Sequence, residues 1–132
     1  MRWLPLLLAA SLAAPIQAAS LRDIRLTETL QQVAAQSSEN TPREINSNIT
    51  DLGFSAKGDE LINRLAVDPE YAQRMQEDPL LIRSQLQSSV CTDLRFRRLL
   101  DMGATLTYHF VLKESAQPVL TQSFIADHCQ TL

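Results

Sequence analysis

The spacing of apolar residues changes along the chain, and each change predicts an element of secondary structure. Between Ser20 and about Gln36, apolar residues recur at helical spacing: Leu26, Leu30, Val33 and Ala34. Ser20 is a suitable N-cap, and Asp23 lies three residues later in the capping-box position. The sequence therefore predicts a helix that packs on the core through one apolar stripe.

A segment with the periodicity of strands follows the polar break Ser37–Pro42. Its alternating apolar residues lie on both sides of a turn at Gly58: Leu52, Phe54, Ala56, Leu61, Leu65 and Val67. This pattern predicts a β-hairpin with one apolar face, which Asn63 interrupts. The run Leu61–Ala66 also fits helical spacing, so a short helix there is the alternative.

Two Asp-Pro pairs, Asp68-Pro69 and Asp78-Pro79, predict two helix starts. Aspartate is a good N-cap, and proline lacks only an N–H group that the first helical position does not need. The helices are expected over Pro69–Gln76 and from Pro79 to about Val90. On the second helix, two polar residues are expected to point away from the core: Arg83 and Gln87.

The stretch Val90–Leu132 predicts a short helix followed by a second hairpin. Thr92 or Asp93 caps the helix Leu94–Met102, and Gly103 ends it. The alternating runs that predict the hairpin are Ala104–Leu112 and Val119–Ala126. The element order is then α-ββ-ααα-ββ, an α+β domain in which about four helices cover a four-stranded antiparallel sheet made of two hairpins.

Residues 1–18 have the pattern of a signal peptide. Arg2 precedes the apolar run Leu4–Ile16, and Ala18 is a small residue at the expected cleavage site. The run is shorter than the roughly 20 residues that cross a membrane, and no cysteine follows it to carry a lipid. We therefore expect residues 19–132 to be one domain without a membrane anchor, secreted or periplasmic.

Export determines how the two cysteines are interpreted. In an oxidising compartment, Cys91 and Cys129 are expected to form a structural disulfide. By chain entropy alone, this bond would stabilise the fold by about 4 kcal/mol. The chain has 12 basic and 15 acidic residues, and this balance argues against a nucleic-acid-binding protein. We expect a monomer without a cofactor, whose partner is another protein or a different macromolecule.

The pattern Val-Cys-Thr-Asp…Arg-Arg-Leu-Leu-Asp-Met-Gly…Leu-Thr-Tyr…Cys spans Val90–Cys129, and Ser-Leu-Arg-Asp-Ile-Arg begins at Ser20. With the signal peptide, these features resemble the small secreted pseudomonad proteins called putative quorum-sensing-regulated virulence factors. The resemblance implies secretion and an α+β fold, and it assigns no catalytic residues. A more distant resemblance is to the disulfide-bonded pilotins of type II secretion. Those proteins often carry a lipidation cysteine, which this chain lacks.

The residue pattern predicts neither a catalytic nor a metal site. The two histidines are His109, in a predicted strand, and His128, beside Cys129. The sequence has no Gly-x-Ser-x-Gly elbow and no glycine-rich phosphate loop. Asp127, His128 and Cys129 could join His109 as zinc ligands, but no two Cys or His ligands are closely spaced and a disulfide would use Cys129.

Three arginines in one turn form the candidate binding surface. Asp93–Arg97 and Arg97–Asp101 have the spacing of ion pairs on a helix, which leaves Arg95 and Arg98 as a possible anion or partner patch. A solvated helix face is the alternative. The leading hypothesis is an exported, non-catalytic interaction protein, associated with virulence, that binds through a sheet edge, the arginine face or the helical surface. The other hypotheses are a small exported hydrolase whose site is assembled only by folding, and a pilotin-like secretion accessory protein.

Overall fold

The computed structural model describes the backbone of residues 14–130 and the side-chain surroundings of residues 21–130. Its elements are α1 (Ala14–Ser37), β1 (Arg43–Glu44), β2 (Ile49–Lys57), β3 (Glu60–Val67), α2 (Pro69–Glu77), α3 (Pro79–Thr92), α4 (Leu94–Asp101), β4 (Thr105–Leu112), β5 (Pro118–Phe124) and a 3-10 turn (Ala126–Cys129). The run Leu61–Ala66 is therefore a strand, which decides between the two alternatives.

The beginning of α1 differs from the prediction. The helix already includes Ala14, so Ser20 lies inside it and does not cap it. Ala-rich sequence has a high helix propensity, and the residues before Ser20 continue the helix in the uncleaved chain. Residues 1–13 of the predicted signal peptide lie outside the described residues, and its cleavage stays a prediction. Within residues 14–130, no helix has the length and apolarity to cross a membrane.

The sheet has five strands in the order β1-β2-β3-β4-β5. Both predicted hairpins are present and antiparallel, but β3 and β4 pair in parallel. The prediction of a four-stranded antiparallel sheet is therefore wrong at its centre and at one edge. Three helices connect β3 to β4 and carry the chain back along the sheet, and a crossover of this kind makes the two strands parallel.

A bulge in β2 changes which residues face the core. Asp51 is opposite Leu65 and Phe54 is opposite Asn63, with a register shift between Asp51 and Gly53. Asp51 and Phe54 therefore share a face, whereas Leu52, predicted on that face, is not part of the core. Gly53 has φ +111°, and a Cβ there would lie 3.0 Å from the Thr41 hydroxyl oxygen, so the bulge needs glycine.

The predicted helix starts are confirmed by their caps. Asp68 Oδ1 accepts the Tyr71 N–H at 2.8 Å, and Asp78 Oδ1 accepts the Leu81 N–H at 3.2 Å. At α4, Asp93 is the N-cap rather than Thr92. The caps match the sequence because a carboxylate oxygen satisfies N–H groups only two or three residues away.

One apolar core lies between the four helices and one face of the sheet, here called the inner face. Each helix adds buried side chains to it, and its buried strand residues are Leu61, Leu65, Val67, Leu106, Tyr108, Phe110 and Phe124. The predicted disulfide is present: Cys91 at the end of α3 and Cys129 in the 3-10 turn have Cα atoms 5.3 Å apart. The bond therefore joins the helical layer to the chain that leaves the sheet.

Two polar residues of α3 do not point away from the core, so that prediction is wrong. Arg83 Nη1 donates to Gln122 Oε1 at 2.6 Å, and its guanidinium carbon lies 4.6 Å from the centroid of the Phe124 ring. Gln87 Nε2 donates to the carbonyl oxygen of His128 at 2.6 Å. The polar positions beside the apolar stripe meet β5 and the 3-10 turn, and they hold α3 in place there.

Candidate binding cleft

A cleft of about 620 Å³ lies on the inner face, between α1, α4 and the strands β1 to β4. We call it the arginine cleft. Its lining residues are Val33, Gln36, Ser37, Arg43, Asp51, Phe54, Asn63, Arg95, Phe96, Arg98, Leu99, Met102 and Tyr108. The volume falls within the range of ligand-binding clefts in proteins.

The walls of the arginine cleft are apolar because two amphipathic elements meet there. Phe54 on β2 and Phe96 on α4 have ring centroids 6.4 Å apart with planes inclined by 35°. Phe96 lies on the side of α4 that also carries Leu99 and Leu100, as the helical spacing predicts. Both phenylalanines are only partly buried, so the walls present apolar area to the cleft.

The floor of the cleft contains a buried hydrogen-bonded pair. Asn63 Nδ2 donates to Asp51 Oδ1 at 2.9 Å and to the carbonyl oxygen of Gly53 at 3.1 Å. The Gly53 N–H also donates to Asp51 Oδ1, at 2.9 Å. Asp51 and Asn63 are 6% and 5% exposed. The polar residue that interrupts the apolar pattern of β3 is therefore satisfied by a carboxylate that the bulge turns inward.

Tyr108 lies beside this pair on β4. Burial, and after it the negative charges of Asp93 and Asp51, raises the pKa of Tyr108 to about 12. The phenol therefore remains protonated, a hydrogen-bond donor, at any physiological pH. Within residues 21–130, its hydroxyl makes no hydrogen bond, although the side chain is 8% exposed.

Three arginines, Arg43, Arg95 and Arg98, lie at the mouth of the cleft. Arg95 Nη2 lies 3.4 Å from Asp93 Oδ2, the one salt bridge within the described part of the chain. The Arg95 side chain is 85% exposed, so this ion pair contributes little to stability. Arg43 and Arg98 have no carboxylate partner among residues 21–130.

The ion pairs that we predicted for Arg97 are wrong. Arg97 Nη1 donates to the carbonyl oxygen of Cys91 at 3.1 Å, and neither Asp93 nor Asp101 pairs with it. Asp93 instead accepts hydrogen bonds at the start of α4. Burial raises the pKa of Asp93, but the hydrogen bonds from Arg95 and Phe96 lower it more, so its pKa lies below the ordinary 3.8.

A second cleft, of about 220 Å³, lies between α2, α3 and the inner face. Its lining is mainly apolar and includes Ile49, Ile82 and Leu86. Asn63 and Tyr108 line both clefts. The two clefts therefore meet at this pair of residues on the central strands.

The structure brings together part of what the sequence predicted. Arg95 and Arg98, the predicted patch, line one cleft. Arg43 was missed because it belongs to a short strand in a segment with the composition of a linker. Asn63 and Tyr108 were missed as site residues, although a lone asparagine in an apolar strand was a visible signal.

The sequence matches a family model over residues 19–130, and that family is described as putative quorum-sensing-regulated virulence factor. The chain belongs to this family. None of the curated protein sequences matches it.

Three solved structures have a similar fold: one has a similar sequence, and two are distant in sequence. A putative secreted protein from Pseudomonas aeruginosa is 44% identical, with a TM-score of 0.81 over 83% of this chain and 97% of that one. A type 2 secretion pilotin from Vibrio vulnificus is 19% identical (TM-score 0.72; 84% and 97% covered). A type II secretion pilotin from Vibrio cholerae is also 19% identical (TM-score 0.64; 85% and 99% covered). The pilotins share the fold.

The histidines of this family member lie away from both clefts. His109 Nδ1 lies 3.0 Å from Thr121 Oγ1, on the outer face of the sheet. His128 Nδ1 accepts the Ile125 N–H at 3.0 Å within the 3-10 turn. Within the described part of the chain, no three His, Cys, Asp or Glu residues are placed to hold a metal ion.

Proposed function

We propose that this protein is exported and acts without catalysis, by binding a partner protein in the arginine cleft. One observation carries the proposal: a cleft of about 620 Å³ combines partly buried aromatic walls with three arginines and is lined by neither histidine. Partner-binding sites typically combine aromatic side chains with arginine. The similarity to a putative secreted protein supports export.

The free edge of β2 is a weaker candidate for partner binding, because α1 and Ser38, the residue that follows it, cover this edge. The Ser38 hydroxyl accepts the Phe54 N–H at 2.8 Å and donates to the Phe54 carbonyl oxygen at 3.1 Å. Gln31 Nε2 donates to the carbonyl oxygen of Ala56 at 3.3 Å. These backbone groups are already bonded, so adding a partner strand there would break existing hydrogen bonds.

The other edge, β5, is covered in the same way. Gln76 Nε2 donates to the Val119 carbonyl oxygen at 3.3 Å, and Arg83 Nη2 donates to that of Ser123 at 3.2 Å. These parts of β2 and β5 are therefore less available to a partner strand than the cleft is to a ligand.

The alternative of a small hydrolase has less support from the geometry. A nucleophile needs a base within hydrogen-bond reach, and that base needs an orienting group. Neither His109 nor His128 lines either cleft, and Tyr108 holds its proton to about pH 12. The side chains of the arginine cleft are suited to contact a ligand rather than to transfer its protons.

A photo-crosslinking amino acid at position 96 tests the proposed site, and the same amino acid at Thr121 on the outer face is the control. We expect the Phe96 variant to crosslink one partner from the exported fraction and the Thr121 variant not to. Arg95→Ala with Arg98→Ala should weaken the crosslink, with a dependence on salt. Equal crosslinking at both positions would contradict the proposal.

Export itself rests on the predicted signal peptide, residues 1–18. We expect exported material to begin near Ala19 and to carry no lipid. Intact-mass measurement of protein from the culture medium and periplasm tests both points. A mass that retains Met1–Ala18, or that includes an acyl chain, would contradict this part of the proposal.

A pilotin-like role in type II secretion is the second candidate, and the shared fold with two pilotins favours it. Deleting the gene should then reduce export of type II substrates, and expression of the chain should restore it. Unchanged export would leave the partner-binding proposal intact and remove this candidate.

A further inference from the structure

The arginine cleft has the opposite charge to the whole molecule. The chain has a net charge of −3, yet three arginines and one carboxylate line the cleft. That carboxylate, Asp51, is 6% exposed and accepts hydrogen bonds from Asn63 and Gly53. It does not pair with the arginines, so the positive charge at the mouth is available to a ligand that carries carboxylates.

Two polar groups on the cleft floor are also available to a ligand. The Tyr108 hydroxyl is a donor without a partner among residues 21–130, on a side chain that is 8% exposed. Asn63 is its neighbour across β3 and β4, and the bonds of its Nδ2 to Asp51 and Gly53 fix the direction of its carbonyl oxygen. A hydroxyl donor and an amide oxygen acceptor on paired residues of neighbouring strands are the groups that bond to the C=O and N–H of a peptide group.

The shape of the site favours an elongated ligand. The arginine cleft and the smaller apolar cleft share Asn63 and Tyr108, and each is also lined by an exposed apolar side chain: Met102 and Ile45. A small anion would contact only the arginines. A peptide that crosses the floor would reach both clefts.

We propose that the arginine cleft binds an extended, acidic segment of the partner protein. Its carboxylates pair with Arg43 and Arg98, and an apolar side chain lies against Phe54 and Phe96. A backbone peptide group bonds to Asn63 and Tyr108 on the floor. The segment is extended because a helix already uses its own N–H and C=O groups. This inference rests on the proposed function and specifies the partner's chemistry.

The test uses a fluorescein-labelled synthetic peptide of alternating Glu and Leu residues, with a Gln-Leu peptide of the same length as its neutral control. We expect the Glu-Leu peptide to bind the full exported chain at least tenfold more tightly at low salt. The difference should shrink as the salt concentration rises, because exposed charges are screened. Equal binding of the two peptides would overturn the proposal.

Variants in the cleft, compared with a control variant on the outer face, test whether the peptide binds in the arginine cleft. Arg43→Gln with Arg98→Gln should lower the affinity for the Glu-Leu peptide roughly tenfold, because two solvent-exposed ion pairs are lost. Arg64→Gln is the control, because Arg64 is exposed on the outer face of β3, and it should change the affinity less than about twofold.

Tyr108→Phe keeps the ring and removes one donor, so it should lower the affinity for both peptides by roughly three- to tenfold. Tyr108→Phe without effect would overturn the contact with the peptide group.

Competition separates this inference from the proposed function. The Glu-Leu peptide should reduce crosslinking of the natural partner at position 96, and the Gln-Leu peptide should do so much less. A partner that crosslinks at position 96 but is not displaced would mean that the cleft is a binding site for different chemistry. Failure of both crosslinking and peptide binding would overturn both proposals.

Discussion

The two faces of the sheet differ in how completely their polar side chains are hydrogen-bonded. On the outer face these groups bond to one another: the Thr107 hydroxyl bonds to Glu60 and to Ser123, and His109 bonds to Thr121. On the inner face Asn63 is bonded through its nitrogen only, and the Tyr108 hydroxyl has no partner in the described part of the chain.

This difference supports the proposal that a partner binds on the inner face. The outer-face groups bond to one another, so they offer few unpaired donors or acceptors to a partner. Within the described residues, the buried side-chain polar atom without a partner is Arg97 Nε, so water reaches the Tyr108 hydroxyl and a ligand can replace that water. The outer face therefore offers fewer unpaired polar groups than the arginine cleft, which supports the cleft as the proposed site.

Breaking the disulfide should lower the stability more than any other change, and the bond lies on the inner side of the sheet. Both cysteines belong to the inner core. Reduction should lower the free energy of unfolding by about 4 kcal/mol, because it frees the unfolded chain from a closed loop. Thermal melting with and without reductant measures this effect. Hydrogen exchange should become faster in α3 and α4 than in β3 and β4.

Two controls accompany this measurement. Reductant should not change the melting temperature of the Cys91→Ser, Cys129→Ser variant. A free-thiol count on denatured, unreduced protein should be zero. Two reactive thiols, or a melting temperature unaffected by reductant, would remove the role of the disulfide in holding the layers together.

The buried pair on the inner face should matter more than the bonded groups on the outer face. Asp51→Ala leaves the Gly53 N–H without its partner and Asn63 Nδ2 with one bond fewer, which should cost about 3 kcal/mol. Thr107 is itself 5% exposed, but its partners Glu60 and Ser123 are partly or fully exposed and can bond to water instead, so Thr107→Val should cost about 1 kcal/mol. Urea unfolding measures both variants, and equal losses would contradict the contrast between the faces.

Local chemistry explains why parts of the fold were predictable. Asp68 and Asp78 cap helices through N–H groups three residues away, so the sequence alone identifies the helix starts. The alternation of apolar residues likewise identifies β4 as a strand, although Thr107 and Val111 on its other face are buried as well. The disulfide followed from two cysteines and an inferred compartment.

Features that depend on distant contacts were not predictable. Parallel pairing of β3 with β4 depends on how three helices cross the sheet. The strand β1 has two exposed residues and forms only because β2 lies beside it. Asp51 points to the inner face only because of the bulge in β2. The alternating pattern placed Leu52 on the inner face instead, so the sequence did not predict the hydrogen bond between Asp51 and Asn63. The arginine patch was predicted, whereas the cleft beside it was not.

The N-cap of α4 should have a moderate effect that depends on pH. Asp93→Ala removes the acceptor of the Arg95 and Phe96 N–H groups and should cost about 1 kcal/mol at neutral pH. The folded-state pKa of Asp93 is lowered, so its charge stabilises the fold above the ordinary 3.8 and the effect is lost as the pH falls below that value. Asp93→Asn should keep most of the cap without this pH dependence. Urea unfolding from pH 2 to 7 tests it, and a loss that starts well above pH 4 would contradict the assignment.

The arginines at the mouth of the cleft should have the smallest effect on stability. Arg95 is 85% exposed and pairs only with Asp93, whereas Arg98 is exposed and has no carboxylate partner among residues 21–130. Arg95→Ala with Arg98→Ala should therefore change the free energy of unfolding by less than about 0.5 kcal/mol. Because the fold is unchanged, loss of partner binding in this variant reports on recognition alone. A loss above about 2 kcal/mol would show that the arginines hold α4 in place, and the inner face would then be a structural surface like the outer one.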